Sequence, residues 1–178
     1  VRGHGMELAK YIACICEGSA EEAIMDILLD HDLLIFSRED LLEERVLRSR
    51  SAKKFEERYL RKGFSAPISV VRVLDSRREN FTLSKAYAHK VDVINVITAP
   101  EIEMLIIHKE KAYDKFKRTQ KKPSEFCKTE FHMTNVKAYA FVRHYFTDAQ
   151  SLVDAILEYR RVAKIPPGEY SLADLLKN

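Results

Sequence analysis

The sequence is poor in chain-breaking residues: five Gly and five Pro among 178 residues leave little room for long structureless loops. It has no Trp and only three Cys. An odd number of thiols cannot pair completely, and a chain this long can bury a core without covalent staples. A reducing, cytoplasmic setting is therefore expected. Long apolar runs are missing as well. Uncharged stretches such as Gly63 to Val71 fall far short of the ~20 apolar residues of a membrane span, so no membrane partner is expected. The start lacks the charged, then apolar, then small-residue order of a secretion signal, and Val1 to Gly5, ahead of Met6, read as an expression remnant. No G-x-x-x-x-G-K-[ST] or G-x-G-x-x-G occurs, which excludes a P-loop ATPase and a dinucleotide fingerprint. An Asp/Asn-Pro-Pro-aromatic motif is also absent, which argues against an amino-methylating DNA enzyme.

Hydrophobic residues at 46% and charged residues at 32% give the balance of a globular protein. The net charge of +3 hides an uneven distribution. Met6 to Glu44 holds two bases, Lys10 and Arg38, against eleven acids. Arg45 to Lys54 holds five bases and no acid, and Lys109 to Lys122 holds seven bases against Glu110 and Asp114. An acidic first third followed by two basic clusters points to a polyanion or acidic partner, while each cluster alone reads equally well as a solvated helix face.

Short apolar runs alternate with helical patterns. Lys10 to Cys16, Leu33 to Phe36, the β-branched run Ile68 to Leu74, and Val91 to Ile97 read as strands. Ser19-Ala20-Glu21-Glu22 reads as a capping box opening a helix to Asp30. Further helices are expected over Ala52 to Lys62, over Leu83 to His89 and, from the Thr98-Ala99-Pro100-Glu101 cap, to about Arg118. Beyond it, 124–131, 137–146, 148–163 and 171–176 all read as helical. The expected architecture is α/β: a mostly parallel four-stranded sheet flanked by helices over residues 6–120, with 121–178 as a helical C-terminal appendage packed on it.

In such a sheet ligands bind at the carboxyl ends of the strands. Glu17 directly follows the first strand, Asp75 follows the third, and Glu103 lies in the opening turns of the helix after the fourth. Carboxylates from separate strand ends supply the hard oxygen ligands that Mg²⁺ or Mn²⁺ takes. Each has a plainer reading. Glu17 beside Gly18 suits a solvated turn, and Asp75 suits a turn cap. Glu101 is accounted for as the reciprocal partner of Thr98. Glu103, inside Ile102-Glu103-Met104-Leu105-Ile106-Ile107, is expected to be partly buried and to need a cation, a metal or a hydrogen-bond donor. Arg48, Arg50, Lys53, Lys54, Arg77 and Arg78 are the candidate contacts to nucleic-acid phosphates. Cys14 and Cys16 point to one face of a strand, which favours burial over zinc. Tyr113 and Phe116 are spaced as core residues, and His108 reads as a packing residue.

Glu17-Gly18 with Glu22 (an E-G-x-x-x-E start), a strand ending in Asp75, and Pro100-Glu101-Ile102-Glu103 with His108 resemble the Toprim (topoisomerase–primase) fold. Within it, they are similar to the RloB-like and OLD-type nuclease branch associated with bacterial defence loci. The resemblance spans about Lys10 to His108. It implies Mg²⁺-dependent phosphodiester chemistry on DNA or RNA, with Glu17 as acid/base or ligand and Asp75 and Glu103 as ligands. The family's second acid after the third strand would fall at position 77, which is Arg77 here; Glu79 is the acid nearby that would have to replace it. The alternative expectation is a Toprim-like subunit that binds nucleic acid, or a partner ATPase, without cleavage.

Overall fold

The computed structural model describes residues 6–63, 65–98 and 101–178, apart from the side chain of Glu101. Val1 to Gly5, Ala99, Pro100 and the expected cap contact of Glu101 lie outside the described residues. The fold is α/β, built on an open sheet of three parallel strands in the order β1-β2-β3: β1 Tyr11–Cys16, β2 Ile68–Leu74 and β3 Val91–Ile97. Register places Ile15 beside Arg72 and Arg72 beside Asn95. All three strands therefore end at one level.

Strict alternation along these strands makes two apolar faces. Cys14, Cys16, Val71, Val73 and Val96 face one core, and Ala13, Ile15, Val70 and Val91 face another. The first face is covered by helix α1 (Ser19–Asp30) and by helices α6 (Tyr139–Tyr145) and α7 (Ala149–Val162), through Ile24, Leu28, Val142, Leu152 and Ile156. The second is covered by helix α2, which starts as an α-helix over Ala52–Phe55 and widens to a π-helix over Glu56–Leu60, and by Leu42, Leu47 and Phe81. Ser51 caps α2 by accepting from the Lys54 amide at 3.3 Å. Helix α3 (Glu101–Lys109) is apolar nearly all round. Ile102 and Leu105 turn to the sheet core, while Met104, Ile106 and Ile107 form a third cluster with Phe126, Cys127 and Val136. Helices α4 (Tyr113–Lys117) and α5 (Pro123–Glu130) complete that side.

Leu33 to Phe36 is not a strand of the sheet. Asp32 is left-handed at φ 53°, and a capping box at Ser37 and Asp40 starts a turn of 3-10 helix directly after Phe36. The run instead meets the C-terminal tail: Leu34 bridges Leu176, and the Ile35 amide donates to the Leu175 carbonyl at 2.9 Å. The outer edge of β1 is occupied by the segment after that turn. Leu41 bridges Ile12 and Leu47 bridges Ile15, both parallel.

Three helix expectations also change. Gly18, not Ser19, is the N-cap of α1, and its extended backbone receives no side-chain cap, so the capping box does not form. Residues 83–89 form turns rather than a helix. The long helix stops at Lys109, before Lys111 adopts φ 55°, and α4 follows as a separate turn and a half. All three thiols are free and buried, Cys14 and Cys16 in the sheet core and Cys127 on α5. No helix among the described residues is long and apolar enough to cross a membrane.

Because α6 and α7 share a core with β1 and α1, their loss should disturb the whole fold. Leu152 is fully buried in that shared core, and Leu152→Ala should cost about 2–5 kcal/mol. Urea unfolding should show this as a lower midpoint of one cooperative transition. A loss confined to a separate, early transition would mean that the C-terminal helices are an independent layer.

Candidate functional site

The segment 41–47 runs along the free edge of β1 and β2 pairs with its other edge. Ligands of parallel sheets bind at the carboxyl ends of the strands. Glu17 stands at that end of β1, 8% exposed. Its amide donates to the Val73 carbonyl at 3.0 Å, and its carboxylate accepts from the Asp75 amide at 3.0 Å. Asp75, directly after β2, keeps 40% of its side chain exposed.

Two more acids line the same end. Glu21, on the first turn of α1, is 2% exposed and accepts from the Thr98 hydroxyl at 3.2 Å. Thr98 is held in place at the Leu74 carbonyl: its one hydroxyl proton is shared between that oxygen, at 2.8 Å, and Glu21, and its amide donates to the same carbonyl. A Cβ on Gly18 would overlap the Glu21 carboxylate, so glycine at this position is what lets Glu21 fold back over the turn. Glu103, on α3, is 6% exposed.

One cation joins these acids. The Lys137 ammonium, from the loop between α5 and α6, lies 3.5 Å from a Glu103 oxygen and 3.6 Å from an Asp75 oxygen. The structure thus draws Asp75 and Glu103 onto a shared ammonium, while Glu17 is tied to Asp75 through the backbone. Burial pushes the Glu17 and Glu21 carboxyls above the ordinary glutamate value. The charge of Asp75 adds to this in both, and that of Glu79 adds to it in Glu17. Lys137 is held above the ordinary lysine value: burial acts to lower it, but the charges of Glu103, Asp75 and Glu21 outweigh that effect.

Beneath the site lies a second, less well matched cation. Arg72 projects from β2 on the α2 side and is 2% exposed. Its guanidinium stacks 4.9 Å from the centre of the Phe81 ring. It reaches Asn95 Oδ1 at 3.3 Å, the Glu79 carbonyl at 3.4 Å and a Glu79 carboxylate oxygen at 4.0 Å. Its buried Nε has no hydrogen-bond partner. Burial lowers its basicity, opposed by the charges of Glu79 and Glu17. Glu79 therefore stands within electrostatic reach of Glu17, whereas Arg77 is turned away into a two-bond pair with Glu169, at 2.7 and 2.9 Å.

The remaining basic candidates divide. Arg50 donates to the Glu17 carbonyl at 3.0 Å. Arg48 pairs with Glu22 at 2.8 Å and approaches the Ser19 hydroxyl at 3.4 Å. Both sit beside these acids because Leu47 is bridged to Ile15. Lys53, Lys54 and Arg78 are exposed. A larger cavity of about 630 Å³, lined by His108, Tyr113, Glu158 and Arg161 among others, shares no residue with the acidic cluster. His108 packs there against Tyr113, with ring centres 4.8 Å apart.

The donor types suit a hard divalent ion: four carboxyl groups, three of them buried, lie at this end of the sheet, and two of them share the half-exposed Lys137 ammonium. Among the described residues, no three His, Cys, Asp or Glu side chains close on one point as metal ligands do. Glu17, Asp75 and Glu103 would have to draw together around an ion, with Lys137 giving way. Glu21 and Lys137 were not among the sequence candidates. A signal for Glu21 was present, since it shares a helical face with the apolar residues Ile24, Met25 and Leu28, and all four are buried. Lys137 carries no such signal, because a loop residue joins the site only through tertiary packing.

The chain matches no protein-family profile, no curated protein and no solved structure.

The raised carboxyls have a defined pH signature. In the folded protein Glu17 and Glu21 hold protons that the unfolded chain releases near pH 4.5. Their contribution to stability is complete below that pH and is lost as pH rises through their folded values. The melting temperature of Glu21→Gln should therefore gain on that of the parent as pH is raised from 4.5 towards about 8. A difference that stays flat or shrinks would contradict the assignment.

Proposed function

We propose that the chain is a Toprim-like α/β protein that acts on phosphodiester bonds of nucleic acid in a bacterial defence or mobile-element setting. Glu17, Asp75 and Glu103 would hold Mg²⁺ or Mn²⁺, with Glu17 doubling as acid/base. The observation that carries this reading is the gathering of four acids from separate elements at one end of the sheet: Lys137 bridges Asp75 and Glu103, the Asp75 amide reaches Glu17, and Thr98 reaches Glu21. Separate elements seldom bury this much like charge together without a ligand for it. A divalent ion bound there supplies polarisation of a phosphoryl oxygen and neutralises developing charge.

The chain's own groups supply the rest. Burial and the neighbouring charge of Asp75 shift Glu17 towards neutrality, which suits a group that takes and returns a proton. Arg48 and Arg50 bond to Glu22 and to the Glu17 carbonyl, and Arg78 lies exposed three residues beyond Asp75; these would be the contacts to a phosphate backbone near the acids. Arg77 is spent on Glu169 and is left out of this contact set. Glu79, beside Glu17 and Arg72, is the acid available in place of the one the family carries at position 77.

A second reading rests on the same lysine. Lys137 already balances part of the charge on Asp75 and Glu103, so the cluster can persist without an ion. The protein would then bind nucleic acid, or a partner ATPase, without turnover.

Plasmid nicking and RNA cleavage with Mg²⁺ or Mn²⁺ separate the two. Glu17→Ala and Asp75→Ala should each abolish metal-dependent cleavage while leaving salt-sensitive binding in place. The parent, but not these variants, should also melt at a higher temperature when Mn²⁺ is added. Cleavage unchanged in both variants would refute the assignment, and binding by the parent without turnover at any metal concentration would establish the second reading.

A further inference from the structure

A basic cavity of about 370 Å³ lies beside the acidic cluster, lined by Arg45, Arg48, Lys54, Arg58 and Tyr59 together with Glu22. Its cations come from two segments, the stretch bridged to β1 and helix α2. Glu43 draws Arg45 and Arg58, one from each segment, together. Arg45 donates to one Glu43 oxygen through Nε at 2.9 Å and Nη2 at 2.6 Å. Arg58 donates to the other oxygen at 2.5 Å, and the Tyr59 hydroxyl donates to it at 2.8 Å. A carboxylate that receives two guanidiniums and a phenol occupies the place of an oxyanion with several acceptor oxygens. These bonds hold the Glu43 carboxyl at about 2, the one from Arg45 contributing most.

The backbone that delivers Glu43 is unusual. Glu43 and Glu44 are consecutive non-glycine residues in the left-handed region, at φ 58° and 51°, a conformation that a Cβ disfavours. They belong to the short 3-10 segment Leu42–Glu44, which Leu42 anchors in the core, and 27% of the Glu43 side chain faces solvent. The carboxylate is thus bound by strong partners yet carried on a strained, exposed turn with room to leave. With Glu43 withdrawn, Arg45, Arg48, Lys54 and Arg58 would face one acid, Glu22.

We propose that this cavity is a phosphoryl-binding site whose Arg45 and Arg58 are engaged in the free protein by Glu43 and pass to a backbone phosphate of a nucleic-acid strand when Glu43 swings out. Arg48 pairs with Glu22 in the first turn of α1, and Arg50, two residues on, donates to the Glu17 carbonyl, so a strand seated here would pass close to the acids. The site does not depend on metal chemistry at the acids: it would bind phosphate equally in a catalytic or a binding-only protein.

The test uses the full chain, with orthophosphate and a short fluorescent single strand as probes, titrated at matched ionic strength without metal. Glu43→Gln keeps the size of the side chain and removes its charge. It should tighten both probes by about tenfold if Arg45 and Arg58 of the parent are free of Glu43 roughly one-tenth of the time. Glu43→Asp, which shortens the reach by one methylene, should give a smaller gain and serves as the second variant if Glu43→Gln does not fold. Adding Arg45→Ala and Arg58→Ala to either should remove the gain. Unchanged or weaker binding in the Glu43 variants, or a gain that survives loss of both arginines, would overturn the proposal. Tightening of orthophosphate alone would overturn the assignment to a strand.

Discussion

Negative charge held out of water at the carboxyl end of a parallel sheet is the constraint around which this protein is built. Glu17, Glu21 and Glu103 are each more than nine-tenths buried, and each ion removed from water costs several kcal/mol unless it is paired or bonded. The surroundings answer with a small set of dedicated contacts. The Asp75 amide reaches Glu17, the Thr98 hydroxyl reaches Glu21, and Lys137 spans Glu103 and Asp75. Compensation is incomplete, which is why burial and mutual repulsion still push Glu17 and Glu21 towards the protonated form.

The architecture follows from bringing those groups together. Three parallel strands in register end at one level, so the residues that follow β1, β2 and β3 become neighbours although they are far apart in sequence. The β1 strand is flanked by the 41–47 segment on one edge and β2 on the other, which brings Arg48 and Arg50 beside Glu22 and Glu17. Helix α3 must pack apolar surface in two directions and yet carry Glu103 to Lys137. The loop between α5 and α6 supplies that lysine. The C-terminal helices therefore take part in the site as well as in the core.

Much of this was legible from residue order alone. The three strands that do form are short apolar runs ended by turn residues, and Glu17 and Asp75 were readable because each directly follows one of them. Leu33 to Phe36 has the same local appearance. Only its pairing with Leu175 and Lys177, contacts more than a hundred residues distant, excludes it from the sheet. The left-handed Lys111 that divides the expected long helix is equally invisible in a pattern that stays helical on both sides. Ser19 and Glu22 satisfy a capping rule on paper, but Arg48 claims Glu22, a competition set by tertiary packing. Long-range electrostatics, including Lys137 and the unmatched Arg72, was the part that sequence periodicity did not reach.

The central claim is that the acids around Lys137 form a cation site. A crystal structure of the full chain soaked in Mn²⁺, with anomalous scattering recorded at the manganese edge, addresses it directly. The account predicts an ion bound by carboxylate oxygens of Asp75 and Glu103 with Glu17 in reach, and the Lys137 ammonium displaced from between them. An ammonium still in place with no anomalous peak nearby, or with manganese only at scattered surface acids, would contradict it.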